Sequence, residues 1–168
     1  IKHMVDTFWK KLPKNYEQDV KKMGLTLKEA VTFASLIELE TKRDDERSVI
    51  SEVIWRRLKD RAPLAIDAAL IYGISDYKGD IKWRHLKDAK NPYNTRIYKG
   101  LPPTPIGSPA RSSLEAVLTP TNTGAYFYVL LYGQDKHHFS KTHKEHNFYV
   151  QKLIKASKRK RRRRKSNK

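Results

Sequence analysis

Apolar positions along the chain recur at helical spacing in two long segments and at strand spacing in one short one. Thr26 opens the first helical segment, with Glu29 three residues on, a reciprocal cap in which each residue satisfies an orphan amide of the other's turn. The helix runs through LTLKEAVTFASLIELE and is apolar almost all round, the mark of a helix central to a core. Asp44, Asp45 and Glu46 open a second helix, where their charge suits the positive end of the helix dipole. Val49, Ile50, Val53, Ile54 and Leu58 lay an apolar stripe along it. Ile66 to Ile74 is a short apolar segment, followed by a polar stretch to about Gly100. Leu101 to Pro109 carries four prolines, which neither continue a helix nor serve a central strand. Such a loop is stiff and suits the wall of a groove. Ser108 is placed to cap a helix with Pro109 at its first position, ending at Thr119-Pro120. Tyr126 to Tyr132 reads as a strand, Gly133 to Lys136 as a turn, and His137 to Ser140 as the returning strand. Thr142 and Glu145 start the last helix. The sum is an α+β fold, mainly helical, with a small antiparallel hairpin. The length predicts one domain: a lead-in over 1–25, a main domain over 26–157 and a disordered polybasic tail over 158–168.

Charge changes this picture. The chain has 36 Lys and Arg against 18 Asp and Glu, a net +18. Lys158 to Lys165 read KRKRRRRK and supply eight of those charges. A block of like charge repels itself, which predicts disorder, and it attracts polyanions: anionic lipid, an acidic wall polymer or nucleic acid. No recognised nucleic-acid module accompanies it. The absence of cysteine excludes disulfides, thiolate zinc sites and Cys nucleophiles. No apolar run reaches the length of a membrane span, and no signal-peptide pattern opens the chain. The start at Ile1 reads as that of a fragment of a longer protein.

At about 100° per residue, Glu40 projects between Leu36 and Phe33, whereas Glu38 lies on a smaller, more polar edge beside Ala34 and Ser35. A carboxyl at the end of a central helix, against apolar neighbours, loses hydration as an anion. That raises its pKa and suits a general acid. A Glu in this position can equally point to solvent or pair with Arg43 or Arg47. His137, His138, His143 and His146 cluster near the hairpin and the last helix, and His143 and His146 share a helical face as metal ligands can, but no H-E-x-x-H accompanies them. No G-x-S-x-G and no phosphate-binding G-x-x-x-x-G-K-[ST] is present.

The string Ala34-Ser35-Leu36-Ile37-Glu38-Leu39-Glu40-Thr41 resembles the A-S-I-[IV]-E-K-E-T signature of the MltG (YceG-like) endolytic murein transglycosylases. Further strings follow in the family's order: Glu46-Arg47, Val53 to Leu58, Asp67 to Gly73, Tyr93-Asn94-Thr95, Gly100 to Ile106, Ser113 to Ala116, Tyr126 to Val129, then His138-Phe139-Ser140 and His146-Asn147. The resemblance covers about Thr26 to Val150. It implies a lytic transglycosylase that cleaves the MurNAc-β-1,4-GlcNAc bond and leaves 1,6-anhydroMurNAc ends, with no metal or organic cofactor. Its catalytic Glu carries over to Glu40, with Glu38 as a supporting residue. Asn94, Thr95, Tyr72 and Ser108 are expected hydrogen-bonding groups for the sugar, and Tyr93 and Phe139 expected sugar-facing rings. Ser35, Asp67, Pro105, Ser140, His146 and Asn147 complete the expected binding set.

Where the family reads L-Q-T-D-P-T, this chain reads Leu64-Ala65-Ile66-Asp67-Ala68-Ala69, and Arg56 stands in place of Asn. The family's membrane helix and LysM-like subdomain are absent from this chain. The resemblance implies glycan strands as substrate, cell-wall synthases as partners, and a place at the outer face of the bacterial cytoplasmic membrane. Two other readings stand beside the enzyme: a wall-binding module that has lost turnover, and a polyanion or nucleic-acid binder acting through the tail.

Overall fold

The computed structural model describes residues 2–166, with side chains through Arg159. Eight helices and one hairpin follow in the order α1 (Lys2–Lys11), α2 (Tyr16–Lys22), α3 (Leu27–Glu40), α4 (Asp44–Lys59), α5 (Asp67–Tyr72), α6 (Trp83–Leu86), α7 (Arg111–Leu118), β1 (Phe127–Leu130), β2 (His137–Ser140) and α8 (His143–Ser166). The mainly helical α+β fold expected from the sequence is present.

The central helix is α3. Half of its fourteen residues are buried, including Phe33, Leu36 and Ile37. Its start forms as the sequence predicts: the Thr26 backbone N–H donates to Glu29 Oε2 at 2.8 Å, and the Glu29 N–H donates to Thr26 Oγ1 at 3.2 Å. The Thr26 backbone N–H, joined by the Thr26 hydroxyl donating to the same Oε2 at 2.7 Å, holds the Glu29 carboxyl below its ordinary pKa. Helices α2, α4, α5 and α7 all pack on α3. Phe33 meets Trp55 of α4 at 5.3 Å between ring centres, and the Trp55 indole N–H donates to the Val117 carbonyl in α7 at 3.0 Å.

Residues up to Thr121 form one compact unit, and Asn122 onward form a second. The domain expected over 26–157 is therefore divided. Thr121, the last residue of the first unit, donates to Glu52 Oε2 at 2.6 Å and to the Ser48 carbonyl. The expected lead-in is partly core as well: Tyr16 and Val20 of α2 are fully buried. In the second unit the register pairs Phe127 with Ser140 and Leu130 with His137, as the strand pattern predicts. Helix α8 packs on both strands, with His146 stacked on Phe127 at 5.2 Å.

The tail departs from expectation. Backbone helix continues through Ser166, covering most of the run expected to be disordered. Lys and Arg are good helix formers, and cations are favoured at a helix C-terminus. Residues 167 and 168 of the expected tail lie outside the described residues.

Candidate active site

The C-terminal half of α3 is held by bonds from three directions. Ser35, fully buried, donates to the Thr32 carbonyl at 2.7 Å and accepts the Ile106 N–H at 3.0 Å. The proline loop is thereby pinned to α3. One turn further on, Glu38 Oε2 takes three donors: the Ala110 N–H at 3.0 Å, the Ser113 hydroxyl at 2.7 Å and Arg47 Nη1 at 3.2 Å. Arg47 also donates to Ser113 Oγ at 2.6 Å and, through Nε, to Asp44 at 2.8 Å. The Arg47 guanidinium beside Asp44 holds that carboxyl below its usual range. A Cβ on Gly107 would touch Leu39 at 3.4 Å, so the loop runs close over the last turn of α3.

This network corrects two expectations. Ser35 is an internal anchor and is closed to a sugar. Helix α7 begins at Arg111, with Ala110 as its cap residue, rather than at Pro109 after Ser108. A carboxylate at the N-terminus of a helix satisfies orphan amides and suits the dipole. Glu38 supplies it from 72 positions away in the chain, so local cap chemistry at Ser108 is not needed, and Ser108 is left exposed. Arg47, read from the sequence as a possible partner of Glu40, belongs to Glu38.

Glu40 is the last residue of α3 and is half-buried. The next residue, Thr41, is buried. Its hydroxyl donates to buried Glu46 at 3.0 Å and accepts the Arg43 N–H at 3.0 Å. The backbone that carries Glu40 is thus fixed on both sides: upstream by the Ser35 and Glu38 contacts, downstream by Thr41.

The Tyr93-Asn94-Thr95 segment divides by role. Asn94 is fully buried, and its amide donates to the carbonyls of His85, Leu86 and Asp88 at 3.1–3.3 Å. Thr95 is buried, and its hydroxyl accepts the Ile66 N–H at 3.0 Å. Both side chains close loops, and neither reaches a ligand from there. Tyr93 remains at the surface. Its hydroxyl meets Thr104 Oγ1 at 2.8 Å, and its ring lies edge-on to exposed Tyr72 at 4.8 Å. Tyr93 thus reaches Thr104, the neighbour of half-buried Pro105, in the same loop that is pinned to α3. Asp67 is exposed in the first turn of α5 and pairs with Arg96.

Phe139, Ser140, His146 and Asn147 belong to the second unit. Phe139 is half-buried against Tyr128, and Ser140 is buried opposite Phe127. His138 pairs with Glu145 at 3.2 Å, and Asn147 meets His143 at 3.0 Å.

A cleft of about 900 Å³ lies at the other end of α3. Its lining includes Leu25, Thr32, Trp55, Leu58, Leu101 and Pro102. The stiff loop does wall a groove, as its prolines predict, but its first residues do so beside the start of α3. Thr32 stands roughly 12 Å along the axis from Glu40.

Arg47, Ser113, Thr104 and Thr41 are the site residues that reasoning from the sequence did not assign. Arg47, Ser113 and Thr41 lie in strings already noted for their resemblance, where their roles as partners of Glu38 and Glu46 have no local signature.

The model of the YceG-like family matches residues 1–152. An endolytic murein transglycosylase of Bacillus subtilis strain 168 is 36% identical over 139 residues, covering 83% of this chain and 38% of that protein. One from Streptococcus pneumoniae D39 is 25% identical over 154 residues, covering 88% of this chain and 28% of that protein. The crystal structure of a yceG-like protein from Listeria monocytogenes superposes with a TM-score of 0.73 at 31% identity, over 79% of this chain and 43% of that one. The chain thus spans well under half the length of the relatives it matches. With the E-L-E-T helix end, the pinned proline loop and these matches in agreement, the chain belongs to the YceG-like family.

Proposed function

We propose that this chain carries the cutting part of an endolytic peptidoglycan lytic transglycosylase, with Glu40 as its single acid and base. The observation that carries the reading is the commitment of Glu38. Its Oε2 takes two N–H donors and one hydroxyl from three elements. A carboxylate so bound holds the loop and α7 in place beside Glu40, and the resemblance of the Glu38-Leu39-Glu40-Thr41 string carries the proton-transfer role to Glu40.

Ordinary glycosidases divide the work between two carboxyls. Here one is proposed to serve twice. Glu40 donates its proton to the oxygen linking MurNAc C1 to GlcNAc as that bond breaks. The positive charge that develops at C1 is relieved by the sugar's own N-acetyl oxygen. The Glu40 carboxylate then takes the proton of the MurNAc C6 hydroxyl, whose oxygen bonds to C1. The products are a GlcNAc 4-hydroxyl and a 1,6-anhydro end, Glu40 is again protonated, and no water is consumed. An internal nucleophile has an effective concentration far above that of competing groups in solution. Exposed Tyr72 with half-buried Tyr93 is proposed as the platform for a sugar face. Peptidoglycan as substrate, cell-wall synthases as suppliers of nascent strands, and a cell-envelope location at the outer face of the cytoplasmic membrane follow from the same reading. No helix among the described residues is long and apolar enough to cross a membrane.

The test is digestion of intact sacculi, with mass spectrometry of the soluble products. Anhydro-muropeptides that disappear in Glu40→Gln support the reading, and unchanged products from that variant overturn it. A second reading, binding without turnover, draws on the Leu64 to Ala69 segment: Asp67 there is paired with Arg96 and lacks the family's Gln, Thr and Pro beside it. Co-sedimentation with sacculi and no soluble product would favour it.

A further inference from the structure

The long basic helix is unexplained by glycan cleavage. In α8 the half-buried side is Glu145, His146, Tyr149, Leu153 and Ala156, which face the hairpin. The opposite side is exposed, and along it lie Lys144, Phe148, Lys152, Lys155 and Lys158. Their spacings of four and three residues put them on one helix face. Phe148 is 56% exposed, an unusual position for a large apolar ring. Lys152 Nζ sits 4.4 Å from the centre of that ring. The only acid in the helix, Glu145, is turned to His138 and the Lys141 N–H. Beyond this face the backbone stays helical through Ser166, and Arg159 to Lys165 add seven more positive charges in sequence.

We propose that this face of α8 docks on an anionic lipid bilayer, with the lysines at the phosphate level and Phe148 entering the interface. A basic helix face with an aromatic residue among its cations is the composition that lies in a membrane surface. Each Lys or Arg near an anionic leaflet strengthens binding about fivefold. A soluble polyanion uses the charge but gains nothing from an apolar ring. Nucleic acid would gain from stacking on that ring, but Lys152 covers one of its faces. The proposal does not depend on Glu40, so either can fail alone.

The test is co-sedimentation of the full chain with vesicles of phosphatidylglycerol and phosphatidylcholine, against vesicles of phosphatidylcholine alone. Binding to the anionic vesicles only, lost at high salt, is expected. Lys152→Glu with Lys155→Glu should weaken it by more than tenfold, since two attractive charges become repulsive. Phe148→Ala should weaken vesicle binding several-fold while leaving binding to polyphosphate and to single-stranded DNA unchanged. Circular dichroism is expected to show the fold of each variant intact. Equal binding to both vesicle types overturns the proposal. So does binding to polyphosphate or DNA with none to vesicles, or vesicle binding indifferent to Phe148.

Discussion

The two ends of α3 are built on opposite principles. The N-terminal end borders an apolar cleft of about 900 Å³. Its polar groups are spent on a local cap, Thr26 with Glu29. The C-terminal end has buried or half-buried polar side chains in nearly every position that meets the loop, and their partners come from α4, α7 and the proline loop. Space is found at one end and positional control at the other. Acid catalysis depends on holding a carboxyl in a fixed place and protonation state, so under the proposed function volume alone is a poor guide to where the glycan would be cut.

The sharpest way to break this contrast is to remove the acid. Glu40→Gln should lower formation of anhydro products by about 10² to 10⁴-fold, the span of a general acid–base contribution, with the fold intact by circular dichroism. Next in size is the clamp. Arg47→Ala removes the charged donor to Glu38, leaving it the Ala110 N–H and the Ser113 hydroxyl, and should cost about 2–3 kcal/mol, below the usual range for a broken buried pair because Glu38 is 25% exposed. Urea unfolding would measure this, and the variant should also lose activity through the displaced loop. The N-terminal end should respond more mildly. Thr26→Val should cost about 1 kcal/mol, the usual worth of a cap. That end also titrates. The Glu29 pKa is lowered in the folded state, so its capping bonds stabilise the protein above the ordinary glutamate range and are lost as pH falls through the lowered value. The fall in melting temperature on acidification should therefore be shallower in Glu29→Gln. The smallest effect is expected at Ala65, whose φ of 55° is left-handed. Ala65→Gly should add about 0.5–1 kcal/mol, the relief of that strain less the entropy of glycine. It should leave product formation unaltered.

The local features were readable before any coordinates. The Thr26–Glu29 cap, the acidic start of α4 and the hairpin each depend on residues within a few positions of one another. What was not readable depends on distant partners. The start of α7 is set by Glu38 rather than by Ser108. Asn94 and Thr95 are types that bind sugars, yet backbone carbonyls and amides up to 29 positions away take their hydrogen bonds. The repulsion rule for the basic run gave way to the helix propensity of the same residues. The pair Glu38 and Glu40 could be told apart on a helical wheel as lying on different edges, but the task of Glu38 became visible only once Arg47 and Ser113 stood beside it.

Thr41 has a last consequence. Because its buried hydroxyl ties the end of α3 to the start of α4, the main chain at Glu40 has no slack to advance toward a substrate. The reach of the acid is then set by its own three torsions and two methylenes. Aspartate in its place would keep the proton but fall short by about 1.5 Å, one carbon–carbon bond, and nothing behind it could move up to close the gap.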